Sequence, residues 1–321
     1  MKFELTHTSV HDYAHPAAEA YGEARLTPPD TDRQTVSARK LILEPRAELS
    51  TYTDIRGNVV EFFSLPYRHE SLTITHQATV KTAPQNLLQP SLDLSLGETR
   101  QILRSAIVDI FDYLQPTQVV ARSSYAQRWA RRHLADRRPL GEALGELNSA
   151  IYKKFTYKSG ATSNRTPLST VWRSMTGVCQ DFAHIMLAVL RCGGLPCRYV
   201  CGYIEAAPPT IGARGEVLVG AVATHAWVEI LVPGMTWVAY DPTNNKLCGE
   251  QHITCSYGVD AREAAPFRGT LKGTGGQTLK VDVRVKRLEP LPPRRPAPAS
   301  PKSKRKPSRP KAKAKSQSSN G

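Results

Sequence analysis

The sequence predicts an α+β protein: strands first, then helices, then strands again, followed by a basic tail. Three observations carry that prediction. Leu72, Ile74, His76, Ala78 and Val80 alternate with mostly polar residues, the two-residue period of a half-buried strand. From Glu98 the apolar period changes to that of a helix, and after Cys192 strand-like runs return. Segregated blocks of this kind favour an α+β arrangement over the regular alternation of a doubly wound sheet.

The elements follow in chain order. Arg39–Leu43 and Val59–Phe63 are further strand candidates within a β region spanning residues 1–84. Gly57-Asn58 supplies the positive φ that a tight hairpin needs. Residues 84–95 read as a linker. In the next region, residues 97–289, Ile102, Ala106, Ile110 and Tyr113 recur at helical spacing, as do Leu140, Ala143, Leu144, Leu147 and Ile151. Pro139 belongs in the first turn of that second helix. A third helix is expected from Cys179 to Cys192, with an inward stripe of Phe182, Ile185, Met186, Val189 and Leu190, and is stopped by Gly193-Gly194. Strands are then expected over 197–204, 224–231, 236–240 and 279–285.

Charge is unevenly spread. Residues 290–321 hold ten of the 43 Lys and Arg residues, eight prolines and no Asp or Glu. The rest of the chain carries 33 basic and 28 acidic residues, a net of +5 instead of +15. The tail has no large apolar residue after Leu291, so it cannot offset its ordering entropy and is expected to be disordered. Its charge suits weak, sequence-independent contact with nucleic acid or another polyanion; without an aromatic for stacking, specific recognition is not expected. The first ten residues lack the basic-then-apolar pattern of a secretory signal, and no run of about 18 apolar residues suggests a membrane span. A chain this long needs no disulfide staples, so its six cysteines are expected to be reduced and the compartment cytoplasmic.

Cys179 is the candidate nucleophile. At a helix N-terminus a thiol meets the positive end of the macrodipole, which favours thiolate, the nucleophilic form. Its own N–H has no intrahelical acceptor and could face a developing oxyanion. His184, five residues on, lies roughly 140° around the helix and cannot serve as base. His225 can: it opens the strand T-H-A-W-V-E-I, where His225, Trp227 and Glu229 share one face. Asp241 ends the next strand, just before Pro242. If the two strands pair across residues 232–235, Asp241 comes opposite His225, completing a papain-like arrangement of helix-borne cysteine, strand-borne histidine and next-strand carboxylate.

G-V-C-Q-D-F-A-H at 177–184, R-Y-V-C-G-Y-I at 198–204, T-H-A-W-V-E at 224–229 and D-P-T-N at 241–244 together resemble the transglutaminase-like superfamily. R-L-T-P at 25–28 and D-I-R-G-N-V-V at 54–60 resemble the N-terminal β domain of its bacterial branch. The resemblance covers residues 1–288 and implies a papain-like core of helices on an antiparallel sheet. It also implies that Cys179 is nucleophile, His225 general base and acid, and Asp241 the orienting carboxylate. Cys197 and Cys201 replace small residues of the family, and Gly258-Val259-Asp260-Ala261 replaces its G-R-D-Y. Gln180, Asp181 and His184 recur in the motif and are expected to make structural hydrogen bonds; Trp227 is expected to wall the site or pack in the core, and Trp172 is a weaker candidate oxyanion donor.

The expected function is cysteine-dependent acyl transfer or hydrolysis at protein or peptide amides, with protease or amidase favoured over cross-linking. No cofactor and no metal is expected: Cys192, Cys197 and Cys201 lack the paired spacing of a zinc site. The alternative is a non-catalytic binding or scaffold protein that keeps the fold and contacts a polyanion through its tail. The oligomeric state and the natural substrate are left open by the sequence.

Overall fold

The structure, a computed structural model, describes residues 1–85, 90–205 and 223–288. The expected disordered tail and part of the expected linker lie outside the described residues.

The N-terminal region contributes six strands: β1 (Lys2–Ala17), β2 (Glu19–Ala24), β3 (Gln34–Glu44), β4 (Leu49–Thr53), β5 (Val59–Leu65) and β6 (His69–Thr82). The β4–β5 hairpin turns at Gly57, φ 83°, where the Asp54 carboxylate accepts the N–H groups of Arg56 and Asn58. Asn58 is fully buried and bonds Tyr257 through both its side-chain oxygen and nitrogen, fastening the hairpin to the rest of the protein.

Helices follow: α1 (Leu96–Leu103), α2 (Ile107–Leu114), α3 (Ser124–His133) and α4 (Leu140–Lys154). Ser95 and Glu98 form a capping box at the start of α1. Pro139 sits one position earlier than the sequence suggests, as the residue preceding α4. Then come β7 (Thr156–Tyr157), α5 (Leu168–Ser174), β8 (Thr176–Gly177) and α6 (Cys179–Cys192). α6 is buried on every side from Asp181 to Arg191, so the expected apolar stripe is only part of what it buries. The sequence reading assigned neither α3, which buries Ala126 and Ala130 and keeps its arginine-rich face in solvent, nor the short α5.

The chain closes with β9 (Cys197–Ile204), β10 (His225–Val232), β11 (Thr236–Asp241), β12 (Lys246–Leu247), β13 (His252–Gly258), β14 (Phe267–Lys272) and β15 (Gln277–Arg287). A five-stranded antiparallel sheet, order β12-β11-β10-β9-β13, packs one face on α6 and its neighbours through Ala183, Leu187, Val228 and Ile230. Its far edge meets the N-terminal sheet, where Tyr203, Ile253 and Cys255 cluster with Phe3, Leu5 and Val80. Two four-stranded sheets, orders β15-β1-β6-β3 and β14-β2-β5-β4, pack together through Leu26, Leu43, Phe63 and Ile74.

The sequence reading grouped residues 267–287 with the catalytic region. In the structure they return to the N-terminal sheets: β15 runs antiparallel to β1 for eleven residue pairs, and β14 flanks β2. Local periodicity identifies the strand but carries no information about its partner. Among the described residues, no helix is long and apolar enough to cross a membrane.

Candidate active site

Cys179 begins α6, and the turn before it is fixed by Asp181. That buried carboxylate accepts the Val178 N–H at 2.8 Å and the Thr162 hydroxyl at 2.5 Å. The approach requires Gly177, because a Cβ there would lie 2.6 Å from the Asp181 Oδ2. Burial pushes the Asp181 carboxyl up, against the pull of its two hydrogen bonds. His184 points away, as the helical wheel requires, and accepts the Ala261 N–H. Burial pushes it down to about 4, so it is neutral, and with Arg191 it docks the Gly258–Ala261 turn through backbone groups. That turn therefore needs neither of the two side chains missing from its motif. Gln180 differs: it lines clefts on both sides of the helix start.

His225 begins β10 and is 1% exposed; Asp241 ends β11 and is fully buried. The observed register, Val228 opposite Tyr240, puts Asp241 level with Trp227 and not with His225 as the sequence reading expected. The side chains still meet on the diagonal that cross-strand neighbours can span, His225 Nε2 donating to Asp241 Oδ2 at 2.8 Å. Burial disfavours the charged ring. The Asp241 charge and hydrogen bond, with a contribution from Cys179, outweigh it and hold His225 up at about 10. Besides Asp241, the Cys179 side chain is a hydrogen-bond partner of the buried His225 ring and adds to its rise. The structure thus brings the three predicted residues into one locality, with a charged imidazole between carboxylate and thiol.

Asp241 is more heavily solvated by protein than the sequence suggested. Its Oδ1 accepts the N–H groups of Thr243 and Asn244, and its Oδ2 accepts the Asn244 side-chain amide. Burial opposes ionisation, but His225 and His252 prevail and hold the carboxyl far below the usual carboxylate range. His252, missed by the sequence reading, lies 3.3 Å from Asp241 Oδ2. Its Nδ1 accepts the Gly249 N–H, so Nε2 bears the hydrogen donated to the carboxylate. Burial keeps His252 below its ordinary value and hence neutral.

Trp227 stands between these groups, its ring 6.2 Å from His225 and 5.3 Å edge-on to His252. It is fully buried and packs with Val200, Ala239 and Tyr257, so it is core as well as neighbour to the site. Gly202 admits it: a Cβ there would lie 2.2 Å from the Ile253 carbonyl oxygen and 2.3 Å from the Trp227 ring. Gly202→Ala is expected to lower stability by about 1–3 kcal/mol through overpacking and to slow Cys179 alkylation at the same time. Thermal melting alongside timed iodoacetamide labelling checks both, and a variant unchanged in either would remove Trp227 packing from the account. Trp172 is buried in an aromatic cluster with Tyr125, Trp129 and Phe155, and its indole N–H finds no acceptor among the described residues. Cys197 and Cys201 are buried on β9 as reduced thiols, and no cluster of His, Cys, Asp or Glu able to hold a metal occurs among the described residues.

Known proteins share this architecture. Residues 127–242 match the transglutaminase-like superfamily, and residues 3–81 match the bacterial transglutaminase-like N-terminal region. An uncharacterized protein of Mycobacterium tuberculosis is 32% identical over 294 residues, spanning 88% of this chain and 91% of its own length. An uncharacterized protein of Mycobacterium leprae is 33% identical over 288 residues, spanning 89% and 99%. A protein-glutamine gamma-glutamyltransferase of Pseudomonas aeruginosa is 31% identical over 106 residues, 30% of this chain and 15% of that protein. A solved Cytophaga hutchinsonii structure, proposed to be a cysteine protease, superposes with a TM-score of 0.66 at 21% identity over 91% of this chain and 93% of its own. At that identity the likeness is one of fold.

Proposed function

The chain belongs to the transglutaminase-like superfamily, and from that premise we propose that it is a cysteine-dependent enzyme acting on protein or peptide amides, with Cys179, His225 and Asp241 as its catalytic triad. The observation that carries the reading is the buried His225 ring, set between the Asp241 carboxylate at 2.8 Å and the Cys179 side chain, both of which raise it. A charged imidazole there stabilises a thiolate and has a proton ready for the leaving group.

The Cys179 thiolate adds to the amide carbonyl carbon, forming a C–S bond and moving the π electrons onto oxygen. The Cys179 N–H, a first-turn donor without an intrahelical acceptor, is a candidate donor to that oxyanion. Collapse breaks the C–N bond, and His225 gives its proton to the departing amine. The neutral imidazole then takes a proton from the incoming water or amine, which displaces sulfur from the thioester. Asp241 stays ionised throughout, orienting the ring and stabilising its charged form.

Water as the acceptor is supported by the cleft lined by Gln180 and Thr224, where among the described residues no Asp or Glu stands to attract a lysine ammonium. The Pseudomonas relative's name favours a second reading, transfer to an amine. The test is a peptide mixture containing internal glutamines, incubated with enzyme and a fluorescent primary amine, then acid-quenched for intact mass. An acyl adduct on Cys179, amine release and no fluorescent product are expected. Fluorescent incorporation would establish transfer instead. No adduct together with an unreactive Cys179 would favour a scaffold.

A further inference from the structure

The inward face of β1 changes character along its length. Phe3 and Leu5 are apolar and buried; His7, Ser9 and His11, which continue the same alternation, are polar and equally buried. An apolar strand face turning polar while remaining out of water normally serves a hydrogen-bond partner. His7 has one, the Tyr203 hydroxyl at 3.0 Å. Among the described residues Ser9 Oγ and His11 Nε2 have none, although each residue is only 5% exposed, and the His11 ring's one side-chain influence of that kind is Gln277 of β15.

These two atoms belong to residues lining a cavity of about 270 Å³. Gln180 and Thr224, which follow Cys179 and precede His225 in the chain, also line it. So does Cys201, whose buried thiol is raised by burial and by the nearby Cys255 and Cys179. At its outer side stand Leu279 and Val281 of β15, 56% and 40% exposed, with the Phe267 ring 5.0 Å from His11. Among the described residues no Asp, Glu, Lys or Arg lines the cavity, and burial lowers both His7 and His11 so that neither is charged at neutral pH. The volume is below that of an ordinary small-molecule site and suits one side chain.

We propose that this cavity is a substrate-specificity pocket built by the N-terminal sheet, taking an uncharged side chain with an apolar body and a polar tip, tyrosine above all, from the residue flanking the reacting amide. The aromatic body rests against Phe267, Leu279 and Val281, and its hydroxyl bonds Ser9 Oγ and His11 Nε2. A charged side chain would be desolvated with no partner. The N-terminal region thereby contributes directly to recognition, which explains why β15 returns from the far end of the chain to form the pocket's lip. The proposal rests on Cys179 being the acyl-accepting nucleophile.

The test uses dipeptidyl fluoromethyl ketones bearing Tyr, Phe, Glu or Lys at either position; the Cys179 sulfur forms a bond to the methylene carbon and fluoride leaves. Labelling rates are read by intact mass and divided by the iodoacetamide rate of the same protein. At one of the two positions, wild type should react with the Tyr probe about tenfold faster than with Phe. Glu and Lys should be slower still. Ser9→Ala combined with His11→Phe should bring the Tyr-to-Phe ratio to about one. Leu279→Lys, at a lip position 56% exposed, should raise the Glu rate relative to Tyr several-fold, and it carries the test if the double variant does not fold. Equal Tyr and Phe rates in wild type, a ratio the double variant preserves, or a Glu-to-Tyr ratio unmoved by Leu279→Lys would each overturn the pocket. Failure of iodoacetamide and of every probe to modify wild-type Cys179 would overturn the catalytic reading beneath it, a separate outcome.

Discussion

Replacing His225 with alanine is expected to lower amide turnover by about ten-thousand-fold, the scale on which losing one member of a nucleophile–base–acid triad acts. The loss has two sources: the thiolate is no longer paired with a cation, and no proton is available to the departing amine. Asp241→Asn should come close to it, because the amide cannot stabilise the imidazolium that carries the proton. Burial alone would discharge the ring; the Asp241 carboxylate is what reverses the sign and holds it near 10. Each variant is assayed against wild type with the peptide mixture, and iodoacetamide labelling of Cys179 is followed in parallel. A His225 variant retaining a tenth of wild-type turnover would exclude His225 as the base.

The same pair makes stability depend on pH. His225 is raised above its ordinary 6.5, so its contribution is complete below 6.5 and is lost as pH climbs from there through about 10. Asp241 is depressed, so its contribution is complete above the ordinary carboxylate range and is lost only in strong acid. The melting-temperature gap between wild type and Asp241→Asn should therefore be widest near pH 6 and narrow toward pH 10. A gap that widens over that interval would contradict the charged ring.

Glu229→Gln is expected to cost about 3–5 kcal/mol of folding stability. Glu229 is 1% exposed and receives two arginines: Arg33 at 2.7 Å from the N-terminal region, and Arg198 at 2.6 and 2.8 Å from the neighbouring strand. Arg198 is further held between the rings of Trp237 and Tyr257, 4.1 and 3.6 Å from its guanidinium carbon. Neutralising the carboxylate leaves two guanidinium groups in a desolvated site with no counter-charge, which costs far more than a surface pair would. Because Arg33 anchors the segment before β3 to β10, the loss should loosen the N-terminal region as well as the core sheet. Urea unfolding measures it. A shift under 1 kcal/mol would mean that water reaches the site and screens the charges.

The helix that opens at Cys179, the strand that opens at His225 and the strand that ends at Asp241 are written in local patterns: a 3.6-residue period closed by two glycines, a two-residue alternation, and a proline that stops pairing. Each is decided within a dozen residues, so the candidate nucleophile, base and carboxylate and the elements that bear them are legible along the chain. Relations between distant segments have no such signature. The register that sets Asp241 level with Trp227 depends on where the β10–β11 turn closes. His252 reaches Asp241 only because β13 folds beside β9, and nothing in H-I-T-C distinguishes it from any other buried histidine. Arg33 meets Glu229 across 196 positions of sequence. The row His7, Ser9 and His11 reads along the chain as an ordinary alternating strand; its meaning appears only when β15 pairs with β1 and leaves a cavity that Gln180 and Thr224 also line. Periodicity fixes which face of an element is buried, whereas what that face is buried against is set by the packing of the whole chain.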